Sequence, residues 1–273
     1  MLIKTLVENT SISEDFGSEH GLSLYIETTK HQILFDVGAS GLFLQNAVKL
    51  GVNIADVDFL VISHGHNDHG GGLKAFLGEN DRAKVYLHQQ AFDKHYALRS
   101  TGKPELIGLD EDLKPNRQIR FTSDGYSIDQ GVWLFSNITP KEPRPKSNSN
   151  LLTEHNGQTT DDAFAHEQYL VIEEDGKTLL VTGCAHKGII NILEQFQALK
   201  GRMPDYVIGG FHLSSRSGGN EDRDTIDRIG KYLMGTKAKY YTCHCTGIEA
   251  YKRLKSIMGD NIGYLSAGSI IRT

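Results

Sequence analysis

Residues 58–72 read DFLVISHGHNDHGGG, and this stretch limits the chain to few architectures. An apolar run of strand length empties into three histidines and an aspartate within six positions, and three glycines follow. Histidines number twelve in 273 residues, so three in one turn is not background. A cluster leaving the carboxyl end of a buried strand is where open α/β sheets hold their ligands. Neutral imidazole and carboxylate suit Zn²⁺, Fe or Mn²⁺. His64 and His66 are two apart, so in an extended segment they point the same way and share one ion. Asp68 and His69 come half a turn later and project to the other side, where a second ion would sit. Gly70, Gly71 and Gly72 let the backbone turn into a following helix without a Cβ clash.

Around this turn the pattern alternates strand and helix. Residues 21–28 and 32–38 read as a hairpin, 42–51 as a helix stopped at Gly51, 58–63 as a buried strand, and 84–88 as another. Residues 93–118 mix both signals. The segment 139–162 holds three of the six prolines and little apolar content, which predicts a long polar surface loop near a site. Beyond it, 167–183 reads as two strands about an Asp175–Gly176 turn. An amphipathic helix follows, with Ile190, Leu193, Phe196 and Leu199 on one face. Strand–helix units then continue to a closing strand at 262–271. This grammar predicts a single α/β domain over 1–273, two sheets stacked face to face with helices outside.

The net charge of −5 argues against a general nucleic-acid binder, which carries a basic stripe. It leaves room for a small, phosphorylated substrate whose charge is met by metal ions. No apolar run reaches the roughly 18 residues of a membrane span, and the N-terminus turns polar too soon for a secretory signal. Cys184, Cys243 and Cys245 are too few for a disulfide scaffold. A cytoplasmic setting is the expectation.

Two ions need more ligands than one turn supplies. His186, His212 and His244 each stand just past a predicted strand, the arrangement a site on one rim of a sheet requires. His20, His31, His88 and His95 fall in turns or on helix faces and read as solvated. His155 and His166 lie in or beside the long loop and are not assigned to the site. Cys184 is two residues from His186 and reads equally as a ligand or as a small buried hydrophobe. Cys243 and Cys245 lack C-x-x-C spacing.

SHGHNDHGGG resembles the H-x-H-x-D-H signature of the metallo-β-lactamase superfamily, and ILFDVG resembles the strand and Asp-x-Gly turn that precede it. TGCAHKGIIN, GGFHL and CHCTG resemble a subgroup of that superfamily, the dihydropterin-6-methyl-(ribofuranosyl)aminobenzene 5′-phosphate synthase group. The resemblance implies a four-layer αβ/βα sandwich of two mixed sheets with a metal pair at the rim. His64 and His66 would hold the first ion, Asp68 and His69 the second, with Asp36 orienting a ligand. His212 matches the superfamily's last histidine in chain position. Two family features are altered: Asn137 stands where a middle-strand histidine is expected, and the TGD turn has become TGC. His186 is the substitute ligand.

These residues imply a metallohydrolase with two divalent ions, zinc first, with iron, manganese or magnesium as alternatives. It would act on a small phosphoester or ester-like substrate through a water whose pKa the ions lower. Asp68 would orient or deprotonate that water, and His244 or Lys187 would meet the substrate's charge. The resemblance offers a rival, transfer of a pterin diphosphate onto an aryl amine. An iron redox enzyme is a second rival, opposed by histidine at 66 where such members carry Glu. A closed, non-catalytic metal-binding module is the third.

Overall fold

In a computed structural model, which describes residues 1–155, 157–215 and 219–273 (without the side chain of His155), the short apolar runs pair into two large sheets. The first joins β1 (Leu2–Val7), β2 (Ser23–Glu27), β3 (Gln32–Phe35), β4 (Phe59–Val61), β5 (Lys84–His88), β8 (Ile119–Thr122) and β18 (Ile270–Arg272). Its order is β18-β1-β2-β3-β4-β5-β8, antiparallel at one side and parallel from β3 to β8. The second joins β9 (Tyr126–Asp129), β10 (Val132–Phe135), β13 (Tyr169–Glu174), β14 (Lys177–Val181), β15 (Tyr206–Gly209), β16 (Lys239–Thr242) and β17 (Ile262–Tyr264). Its order is β17-β16-β15-β14-β13-β10-β9, parallel from β14 to β17.

Three apolar clusters give the layering. Ile26, Phe35 and Val61 of the first sheet pack with Leu134, Leu170 and Val181 of the second, so the sheets meet face to face. The outer face of the first sheet is covered by α1 (Leu42–Lys49) and α3 (Leu73–Glu79), through Phe43, Ala47, Leu73 and Phe76. α4 (Ile189–Lys200), α5 (Arg223–Gly235) and α6 (Ile248–Met258) cover the second, through Ile192, Phe196, Ile229, Leu233 and Leu254. The result is a four-layer αβ/βα sandwich. α5 illustrates the local cause: Asp222 caps it by accepting from the Thr225 amide at 2.8 Å, and Ile226, Ile229, Gly230 and Leu233 form its buried stripe. Among the described residues no helix is long and apolar enough to cross a membrane.

The structure departs from the sequence expectations in four places. Residues 139–162 are not all loop: β11 (Leu151–His155) and β12 (Gln158–Asp161) pair as a hairpin. With β6 (Lys94–Leu98) and β7 (Pro104–Leu106) they make a third, four-stranded sheet in the order β12-β11-β6-β7. The Asn156–Gly157 dipeptide was the available hairpin signal. The closing segment is two strands: β17 ends the second sheet and β18 crosses to pair with β1. Leu199 is 52% exposed, so the buried face of α4 runs through Ile189, Ile192, Leu193 and Phe196 instead. β1 carried no expectation at all.

Candidate metal centre

Every parallel strand of the two inner sheet edges ends on one rim, and the chemistry collects there. β3 ends on Asp36, β4 on Ser63, His64 and His66, β14 on Cys184 and His186, β15 on His212, and β16 on His244. Asp68 and His69 lie on α2 (Asn67–Gly70), the single turn that follows β4. Asp36, Ala185, His212 and His244 have φ of 58°, 56°, 49° and 52°, so four strands leave the sheet through left-handed, non-glycine residues. Such backbone is costly and persists only where surrounding bonds impose it. Gly71 and Gly72, by contrast, have ordinary helical φ of −62° and −73°. Space is what they supply: a Cβ would stand 2.4 Å from the Ala39 and Val37 carbonyl oxygens respectively.

The ring protons are assigned by their partners. His69 Nδ1 donates to Asp36 Oδ2 at 2.6 Å, His186 Nδ1 to Asn148 Oδ1 at 2.8 Å, and His244 Nδ1 to Asn9 Oδ1 at 2.9 Å. Ser63 Oγ donates to Asp36 Oδ2 at 2.7 Å and so accepts from His64 Nδ1 at 2.8 Å. All four rings therefore direct Nε2 inward. His64 Nε2 meets His186 Nε2 at 3.3 Å, and His69 Nε2 meets His244 Nε2 at 3.2 Å. Two nitrogens on one tetrahedral zinc, each about 2.0–2.1 Å from it, stand about 3.3 Å apart. The residues fit a metal ion at each pair.

Two groups result. His64, His66 and His186 have ligand atoms within 4.8 Å of one another. Asp68 Oδ2 lies 3.3 Å from His244 Nε2 and 3.8 Å from His69 Nε2, completing the other group. Cys184 stands between them, its Sγ 3.2 Å from His69 Nε2 and within 4.8 Å of His64, His186 and His244 ligand atoms. His212, expected as a metal ligand, lies beside His186 with ring centroids 4.2 Å apart; its ligand atom is within 4.8 Å of those of Cys184 and His186, and both its nitrogens are buried without a hydrogen bond among the described residues. The histidine that faces both Asp68 and His69 is His244, which the sequence reading had offered to the substrate's charge. Lys187 directs Nζ to the Ser136 carbonyl at 2.8 Å and does not line the cleft.

Electrostatics keep three of these rings neutral and let the fourth, His69, hold a proton that an ion would displace. Burial holds His64, His66 and His186 well below their usual range, each then pushed further by neighbouring histidines. Burial lowers His69 too, but Asp36 and Asp68 outweigh it and raise the ring to about 9. For Asp68 burial opposes the charge, yet His69, His244 and His20 hold its carboxyl well below normal.

Several contributors escaped the sequence. His20, read as solvated, places Nε2 3.3 Å from Asp68 Oδ2 and its ring 4.8 Å from that of His244. His88 and His95, read as solvated, are buried, as is His166, left unassigned beside the loop, whereas Asn137, expected at the middle-histidine position, is exposed. The one usable signal for His166 was its place three residues before a strand. Glu8 and Glu167 are buried carboxylates that receive the His244 amide at 2.6 Å and the His186 amide at 2.7 Å, fixing both turns. The expected loop does reach the site through Asn148 and through the Ser147 hydroxyl, which bonds to the His212 carbonyl.

The cleft above these groups has a volume of about 230 Å³. Asp68, His186, His212 and His244 face it, Ala97, Ile107 and Leu151 of the small sheet region wall it, and Arg99 adds a cation at its lining.

The metallo-beta-lactamase superfamily profile matches residues 17–160. An uncharacterized protein of Methanocaldococcus jannaschii is 32% identical over 99% of both chains. The 7,8-dihydropterin-6-methyl-4-(beta-D-ribofuranosyl)-aminobenzene-5'-phosphate synthase of the same organism is 30% identical over 99% of this chain and 96% of its own. Among solved structures, Tm1679, described as a metal-dependent hydrolase of the beta-lactamase superfamily, superposes with a TM-score of 0.84 at 30% identity, covering 100% of this chain and 99% of its own.

Proposed function

Since the chain belongs to the metallo-β-lactamase superfamily, we propose that it is a metal-dependent hydrolase of a small, phosphorylated ester. The observation that carries the reading is the two pairs of facing Nε2 atoms, His64 with His186 and His69 with His244, beside the Asp68 carboxylate in an open cleft. Two divalent ions held there, zinc best by ligand type, would supply an activated water and polarise the substrate's oxygen. His64, His66 and His186 would hold one, and Asp68, His69 and His244 the other, with Cys184 between.

The chain's own groups do the rest. Asp68 is held too acidic to be an effective base near pH 7, so it anchors and orients rather than removes a proton. Arg99 supplies a cation suited to a phosphate carried into the cleft. Ala97, Ile107 and Leu151 give an apolar wall for the remainder of a small molecule. The experiment is elemental analysis of protein purified without added metal, followed by a panel of aryl phosphomonoesters and phosphodiesters. Zinc with ester hydrolysis that His186→Ala abolishes supports the reading, and metal-replete protein that hydrolyses none of them opposes it.

A second reading has its own support in the relative named as a synthase. Here the same cleft would bind a pterin diphosphate and direct an aryl amine onto the carbon bearing the diphosphate, forming a C–N bond as diphosphate and the amine's proton leave. Incubation with both compounds separates the two: coupled product without ester hydrolysis favours transfer.

A further inference from the structure

His95 on β6, with Asp162 and His166 between β12 and β13, forms a second buried group against His66, and none of the three lines the cleft. Ring centroids lie 5.7 Å (His66–His95), 5.4 Å (His66–His166) and 3.9 Å (His95–His166) apart. The four side chains are at most 4% exposed. Their ligand-type atoms lie within 4.8 Å of one another, as for a metal site.

The proton positions take His166 out of any such site. The Gly65 amide donates to His166 Nδ1 at 2.8 Å, so that nitrogen carries the lone pair and Nε2 carries the proton. His166 Nε2 then donates to Asp162 Oδ2 at 3.2 Å and is closed to a metal. His95 Nδ1 donates to the same oxygen at 3.1 Å, and the Phe164 amide donates to Asp162 Oδ1 at 2.6 Å. Three donors therefore surround one buried carboxylate. His95 Nε2 is left with its lone pair and no partner among the described residues, and His66 Nε2 is likewise buried without one.

We infer that His95, Asp162 and His166 are a positioning network for the metal turn, in which His166 fixes the Gly65 amide and His95 Nε2 is the acceptor for the His66 ring proton, directly or through one water. His66 then binds its ion through Nδ1, with Nε2–H turned back to His95. Ligating histidines are oriented this way by an acceptor on the far nitrogen. Gly65 sits between ligands His64 and His66, so the network holds both arms of the first ion's site and neither of the second's. The inference rests on His66 being a metal ligand.

The test is competition of a chromophoric chelator for Zn²⁺ in wild type, Asp162→Asn and His95→Phe, with ¹⁵N-detected tautomers of the histidines in metal-free protein. The expected result is two zinc ions in wild type, and His166 protonated on Nε2 with His95 on Nδ1. Each variant should bind one ion about 10–100-fold more weakly and the other unchanged. A third ion in wild type that His95→Phe removes would make the cluster a metal site and overturn the inference. So would equal weakening of both ions, or no weakening of either. Bound zinc with the opposite tautomers sinks the network alone, while wild type that binds no zinc sinks the metal reading and this role with it.

Discussion

His69 and His244 are 175 residues apart in the chain, yet their Nε2 atoms face each other across 3.2 Å. Each has its Nδ1 proton engaged, by Asp36 and by Asn9. Two lone pairs held at that distance repel until a proton or a cation lies between them. The fold spends bonding on keeping them there, down to the Glu8 carboxylate that receives the His244 amide.

His244→Ala should therefore cost one ion and spare the other, because His64, His66 and His186 do not depend on it. Elemental analysis per chain is the check, with His186→Ala expected to give the reciprocal loss. Two ions retained in His244→Ala would show that the second ion does not need His244.

Asp36 is the deepest support. It accepts from the Ser63 amide at 2.7 Å, the Ser63 hydroxyl at 2.7 Å and His69 Nδ1 at 2.6 Å, from a left-handed backbone. Asp36→Ala leaves three buried donors unanswered and should destabilise the protein by about 3–5 kcal/mol. Urea unfolding of metal-free protein measures it, and a loss under about 1 kcal/mol would show that the network relaxes.

Gly183 marks how closely the two halves approach. A Cβ there would stand 2.2 Å from Ser63 Oγ and 3.1 Å from His64 Nδ1. Gly183→Ala should cost about 1–3 kcal/mol through overpacking and weaken the ion on His64 more than the one on His69. Metal titration that finds the second ion weakened first would contradict this.

Acid should destabilise the metal-free protein, and alkali should too. Burial keeps His166 neutral down to about 4, and holds His64, His66 and His186 well below normal, while the unfolded chain protonates all four near 6.5. Below that value the unfolded state binds more protons, so stability falls on acidification, by up to about 1.4 kcal/mol per pH unit for each histidine. His69 has the opposite sign: its pKa is raised to about 9, so its contribution is full below 6.5 and lost as pH rises through 9. Melting temperatures of chelator-treated protein should peak near pH 6.5. A steady rise to pH 9 would be incompatible with the pairing of His69 with Asp36 and Asp68 that raises that ring.

Much of this protein was determined by short stretches of sequence alone. The apolar runs set β4, β5, β13, β14 and β15, Asp175–Gly176 set the hairpin between β13 and β14 with φ of 52° and 73°, and the spacing of SHGHNDHGGG set four candidate ligands in one turn. Each is a local consequence of periodicity or turn chemistry, read without knowing what lies opposite. What only the tertiary structure decided is which distant groups complete the site. His244 rather than His212 faces Asp68, and His20, His95 and His166 are gathered inward from positions with no periodic signal. Asn148 and Glu8 fix protons and turns from segments far away in the chain. Strand order makes that choice, because it places β4, β14 and β16 ends on one rim, and no residue in any of those strands records which neighbour it will have.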